Sequence, residues 1–231
     1  MTSQHALVHL APQPDCPASD LVDQAEDALW ALPGGWEQVL ITTQRRYAEY
    51  FPLRSGADAD HPQLIRTGEG ATTHCAGGPI GLLDLHARRI QAADSAACLY
   101  DAWTQAVAAM PPVRSLADFL AASDSSSALA RITFREQTHI KIADSLAEAQ
   151  LSRTDKEALA TLDRDAFVER ARAQAVTADS LLQLDGPRLI RPTWADSQAP
   201  DTAAAEYHQR VNAYLDSLPE DHVIVGADFI R

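Results

Sequence analysis

Val223-Ile224-Val225-Gly226-Ala227 is the stretch that decides the fold. It is a continuous apolar run near the C-terminus, without the polar alternation of a strand that faces water on one side. Such a run belongs inside a sheet covered on both faces. A second short strand is expected at Ala6-Leu7-Val8-His9-Leu10, stopped by Pro12 and Pro14. Strands so far apart in the chain require helices to fill the layers between them.

Between these ends the periodicity is mostly helical. Leu21, Val22, Ala25, Leu29 and Leu32 recur at helical spacing after Ser19, a capping residue type, and Pro33-Gly34-Gly35 ends that helix. Residues 38–43 read as a strand, and the apolar stretch from Tyr47 to Leu53 as another. Residues 55–80 read as loop and are the expected place for any sub-boundary in an otherwise single domain, 1–231. Residues 82–110 read as a long helix with Leu83, His86, Ile90, Ala97, Tyr100, Trp103 and Val107 on its apolar stripe and Arg88 and Arg89 opposite. A short helix capped by Ser115 follows, with Leu116, Phe119 and Leu120 pointing inward. Residues 128–142 fit helix or strand.

Thr154 and Glu157 form a capping box for a helix over 155–161, and Asp163 caps another over 164–175. Asp185-Gly186 between apolar flanks predicts a hairpin with positive φ. A helix over 202–217 carries Ala204, Tyr207, Val211, Tyr214 and Leu218 on one face and stops at Pro219. The expected class is α+β, a mixed sheet with several packed helices, or an α/β domain with a helical insertion.

Composition narrows the function. The net charge is −13 over 231 residues, while 46% are hydrophobic, enough for a self-sufficient core. Acidic groups crowd the two ends: nine against three basic in residues 1–60, sixteen against nine in 144–231, and seven of each between. Such a surface repels duplex nucleic acid and anionic membranes and suits a basic protein partner. Cys16, Cys75 and Cys98 are odd in number and widely spaced, which argues for a reducing cytoplasm rather than a disulfide framework. The first residues, Met1-Thr2-Ser3-Gln4-His5, carry no basic leader, and no apolar run approaches membrane-spanning length. No cofactor or metal motif is present.

Candidate chemistry is sparse. His74-Cys75 with His86 eleven residues on is the strongest cluster, since imidazole beside thiol can support a nucleophile. Gly68 to Gly81 precedes a helix but lacks the spacing of a dinucleotide or phosphate loop. Asp228 stands at the end of the terminal apolar run, where ligand groups of open sheets gather. Trp30, Trp36 and Trp194 border turns or loops and are candidate interface anchors.

Three further stretches carry a family likeness: Asp165-Ala166-Phe167-Val168-Glu169-Arg170-Ala171-Arg172-Ala173 running into Leu181-Leu182-Gln183-Leu184-Asp185-Gly186, Tyr207-His208-Gln209-Arg210-Val211-Asn212-Ala213-Tyr214-Leu215, and Gly77-Gly78-Pro79-Ile80-Gly81-Leu82-Leu83-Asp84-Leu85 upstream. Over residues 77–230 the chain loosely resembles an uncharacterised protein family common in Streptomyces and related actinobacteria. None of its motifs is a catalytic signature, so the resemblance implies an organism class and no reaction. Its members often end in Asp-x-His, whereas Asp228 is followed by Phe229 and Ile230.

The expectation is an acidic cytoplasmic protein-binding or accessory protein, most concretely a toxin-neutralising immunity-type protein. The alternatives are a small-molecule hydrolase or transferase using Cys75 with His74 and His86, and a structural or assembly component.

Overall fold

The computed structural model describes residues 3–32, 38–40, 50–66, 73–122, 127–146, 153–192 and 200–230. The chain is an α+β protein with two compact units, Met1–Ile90 with Ala173–Arg231, and Gln91–Arg172.

The first unit is built on β8 (Val223–Ile230). It pairs antiparallel along its whole length with β1 (Ser3–Leu10). Its other edge is shared by β2 (Gln38–Leu40), against Asp228 to Ile230, and β5 (Gly77–Pro79), against Val223 to Val225. Beyond β1 lie β6 (Ser180–Leu182), parallel to it, and β7 (Leu189–Ile190), antiparallel to β6. The sheet is therefore mixed, in the order β2-β8-β1-β6-β7 with β5 on β8. A separate pair joins β3 (Phe51–Pro52) to β4 (His74–Cys75).

The apolar run behaves as its composition requires. Val223, Val225 and Ala227 pack with Ala6, Val8 and Leu10 into a core cluster with Leu21, Ala25 and Leu29 of α1 (Ala18–Trp30). On the opposite face His9 of β1 reaches Tyr214 of α8 (Pro200–Ser217), and Ile224, the register partner of His9, is buried there. All three strands paired with β8 are antiparallel to it, so burial on two faces, not strand direction, sets the unbroken pattern.

Gly77 permits the β5–β8 approach. A Cβ there would lie 2.3 Å from the carbonyl oxygen of Ile224. The glycines at 77 and 78 thus belong to strand packing. Residues 55–80 are not a plain loop: they include β4, β5 and the 3-10 turn Ile80–Leu82, and Leu64 and Ile65 are buried.

The division between the units falls within α2 (Leu85–Val107). Asp84 caps this helix by accepting from the Ala87 N–H at 2.8 Å. Its buried side runs through Leu85, Ala93, Ala96 and Trp103, while His86 and Ile90 are exposed. The expected stripe therefore holds at Leu83, Tyr100, Trp103 and Val107 and fails at His86 and Ile90, and Arg89 faces partners rather than open solvent.

Helices are the regular elements among the described residues of the second unit: the rest of α2, α3 (Leu116–Ala122), α4 (Ser127–Arg135), α5 (Thr138–Leu146), α6 (Arg153–Thr161) and α7 (Arg164–Gln174), which ends in the first unit. The ambiguous 128–142 resolves into α4 and most of α5. The core joins Ala96, Trp103, Ala143, Ala158, Leu159 and Phe167.

Several local expectations hold and several fail. Ser115 and Asp118 cap α3 reciprocally, and Asp163 caps α7. Leu120 is exposed rather than inward. Ser19 does not cap α1, because the helix starts one residue earlier and the Pro17 carbonyl accepts from Asp20 and Leu21. Likewise α6 starts at Arg153, ahead of Thr154. The β6–β7 hairpin exists, but residues 183–188 span it and Gly186 is not left-handed. The expected strand residues 41–43 and 47–49 lie outside the described residues.

Candidate functional site

The exposed side of α1 concentrates unbalanced charge. Leu21, Ala25 and Leu29 turn inward at four-residue spacing. Helical geometry then sends Asp20, Asp23, Asp27 and Trp30 to the opposite side, and all four are exposed. Glu26 lies beside them, half-buried. Pairs three and four apart, such as Asp23 with Glu26 and with Asp27, repel each other. Asp27 also stands in the last turn, where the helix dipole favours a cation, and no basic residue occupies that turn. Among the described residues no basic side chain pairs with any of these four carboxylates. Trp30, 49% exposed, closes the stripe with a large flat apolar surface.

A second polar feature lies at the carboxyl end of β1. His9 is buried between two partners: its Nδ1 is 2.6 Å from the Tyr214 hydroxyl, and its Nε2 is 2.7 Å from His222 Nδ1. The imidazoles stack with centroids 4.9 Å apart. Burial, then the charge of His222, holds His9 down to about 4, against a weaker opposing pull from Asp185. Burial raises Tyr214. These residues come from β1, α8 and the turn before β8.

The sequence-expected cluster does not assemble in this way. Cys75 and His74 are neighbours on β4, so their side chains leave opposite faces, and only Cys75 is buried. Its thiol contacts the Phe51 carbonyl at 3.7 Å, and burial pushes it up to about 11. It is held as a thiol at neutral pH, the reverse of what a nucleophile needs. His74 bonds to the Thr73 hydroxyl at 2.9 Å.

His86 stands elsewhere, on a groove of about 500 Å³ with Asp84, Arg54, Arg89, Asp216 and Glu220. Both arginines there already hold a carboxylate at 2.8 Å, Arg54 with Glu220 and Arg89 with Asp216. Among the described residues no group of three or more His, Cys, Asp or Glu is placed to hold a metal ion. Trp36 and Trp194 lie outside the described residues. Asp228 is not at the strand exit: it sits within β8, opposite His5 of β1 and Leu40 of β2.

Two features escaped the sequence reading for different reasons. The α1 stripe was legible, since it is the complement of Leu21, Ala25 and Leu29. The His9–Tyr214–His222 chain was not, because His9 lies more than 200 residues from its two partners and no local pattern joins them. None of the helices among the described residues is long and apolar enough to cross a membrane.

No family model matches the chain, and no curated protein or solved structure is significantly similar to it, so the functional reading rests on geometry.

Proposed function

We propose that the protein is an acidic protein-binding or accessory protein of the cytoplasm, most concretely an immunity-type protein that neutralises a basic toxin. The observation that carries this is the α1 stripe: four carboxylates without a basic partner among the described residues, ending in an exposed tryptophan. Solubility requires charge but not mutual repulsion on a single helix face with an aromatic at its end. A basic partner relieves the repulsion, and the net charge of −13 steers it inward before contact. Trp30 supplies the kind of anchor that dominates interface energetics. The three free cysteines fit a reducing compartment. Burial of the Cys75 thiol weighs against the hydrolase or transferase alternative.

The test uses the intact chain as bait. Wild type is expected to retain a basic protein from native lysate in a 1:1 complex that weakens as salt rises. Asp20→Asn, Asp23→Asn and Asp27→Asn together are expected to slow association roughly tenfold and flatten its salt dependence. Trp30→Ala is expected to weaken binding by about 2 kcal/mol, mainly by faster dissociation. A complex indifferent to salt and to all four substitutions sinks the reading. A chain that only self-associates points instead to the assembly alternative.

A further inference from the structure

The polar chain at the end of β1 joins three side chains by two short contacts. Neutral His9 carries one ring proton, so it donates from one nitrogen and accepts at the other. Either it accepts the Tyr214 hydroxyl proton at Nδ1 over 2.6 Å and donates from Nε2 to His222 Nδ1 over 2.7 Å, or both bonds run the other way.

One added proton leaves both contacts possible: a protonated His9 donates to the Tyr214 oxygen and to His222 Nδ1, and a proton on His222 only sets the direction of the chain. A second proton has no such solution. His9 Nε2 and His222 Nδ1, 2.7 Å apart, then both carry hydrogens, and two imidazolium rings face each other at 4.9 Å.

We propose that His9, Tyr214 and His222 form a proton-sensitive latch that fastens the last turns of α8 and the turn before β8 to the end of β1, and that acid releases it. The titratable and charged groups facing His9 among the described residues are Tyr214 from α8, His222 from the turn before β8 and Asp185 from the segment after β6. Asp185 favours the charged ring, but burial and His222 outweigh it. The folded value, about 4, lies below the ordinary 6.5, so the unfolded chain takes the proton first. The stabilisation is complete above pH 6.5, declines as pH falls toward 4, and is fully lost below it.

Two nuclear magnetic resonance measurements decide the matter between about pH 7.5 and about pH 3.5. Hydrogen exchange at Tyr214, in the last turn of α8, is expected to lose protection roughly tenfold relative to Leu7 in the middle of β1. The His9 Cε1–H resonance is expected to titrate near pH 4. His222→Asn keeps a hydrogen-bonding group for His9 Nε2 and removes the second imidazole; the His9 midpoint is expected to rise by roughly half a pH unit or more. An unchanged Tyr214 to Leu7 ratio, a wild-type His9 midpoint near 6.5, or no movement in the variant overturns the latch. If His222→Asn does not fold, the two wild-type measurements are sufficient.

Discussion

The two units fill their cores by different means. The sheet unit buries large aliphatic side chains completely: Leu7, Leu21, Leu29, Ile65, Leu83, Leu181, Leu215 and Ile224. Among the described residues of the helical unit only Phe134 and Leu159 reach that degree of burial among large side chains, and alanines supply much of the rest. Both units leave large apolar side chains exposed: Leu120, Leu129, Ile132 and Leu146 in the helical unit, Trp30, Ile90, Leu184 and Ile190 in the sheet unit. A sheet sandwiched between helix layers gives long side chains an enclosed site on each face. Short alanine-rich helices gain little apolar area per residue, so their cohesion leans on a few aromatics and polar ties. Those ties are visible: the Trp103 indole donates to the His139 carbonyl at 3.0 Å, and Arg135 meets Glu157 at 2.6 Å.

This difference is open to direct attack. Ile224→Ala, in the middle of the sheet, is expected to destabilise the protein by about 4 kcal/mol, because a strand pinned on both edges cannot collapse into the cavity. Chemical denaturation of the purified variant measures it. A loss below about 1 kcal/mol would mean the sheet core is far more plastic than its burial implies. Trp103→Phe preserves most of the ring in the helical core but removes the indole donation to the His139 carbonyl, and is expected to cost about 1 kcal/mol by the same assay. An equal loss from both variants would erase the contrast between the units. The smallest effect is expected from Leu129→Ser with Ile132→Ser. Each side chain is 54% exposed, so stability should stay within about 0.5 kcal/mol, read from the thermal midpoint. A larger drop would show that α4 packs its outer face in solution.

The contrast also explains where reading the sequence succeeded. Helix interiors and several caps follow from near neighbours, and Ser115 with Asp118 and Asp163 with Ala166 behave as their spacing says. The long helix α2 was legible in extent and, at Tyr100, Trp103 and Val107, in phase, but not in its first turns. Large apolar residues are few there, so Leu85, His86 and Ile90 compete for the inward side until neighbours choose between them. The hairpin at 183–188 was legible as two flanking strands. Its turn geometry was not, since the loop length is set by the register of Leu181 against Leu189.

The functional features divide along the same line. The acidic side of α1 is a periodic fact about residues 20–30. The misplaced thiol cluster shows the opposite case: His74, Cys75 and His86 are close in sequence, yet strand alternation separates the first two and the start of α2 puts the third on another groove.

The chain alone therefore determined an α+β protein with a doubly covered terminal strand, a strong negative charge and a one-sided acidic helix. These depend on side-chain identity and on repeat lengths of two and 3.6 residues, which neighbours in the chain fix. Only the tertiary structure decided that β1 lies between β8 and β6, that Cys75 is a buried thiol, and that His9 meets His222 and Tyr214. The strand order and the His9 contacts come from pairing over more than 170 residues, and the Cys75 thiol is buried by a strand 24 residues away; in each case the gain is collective burial and no local segment carries a record of its partner.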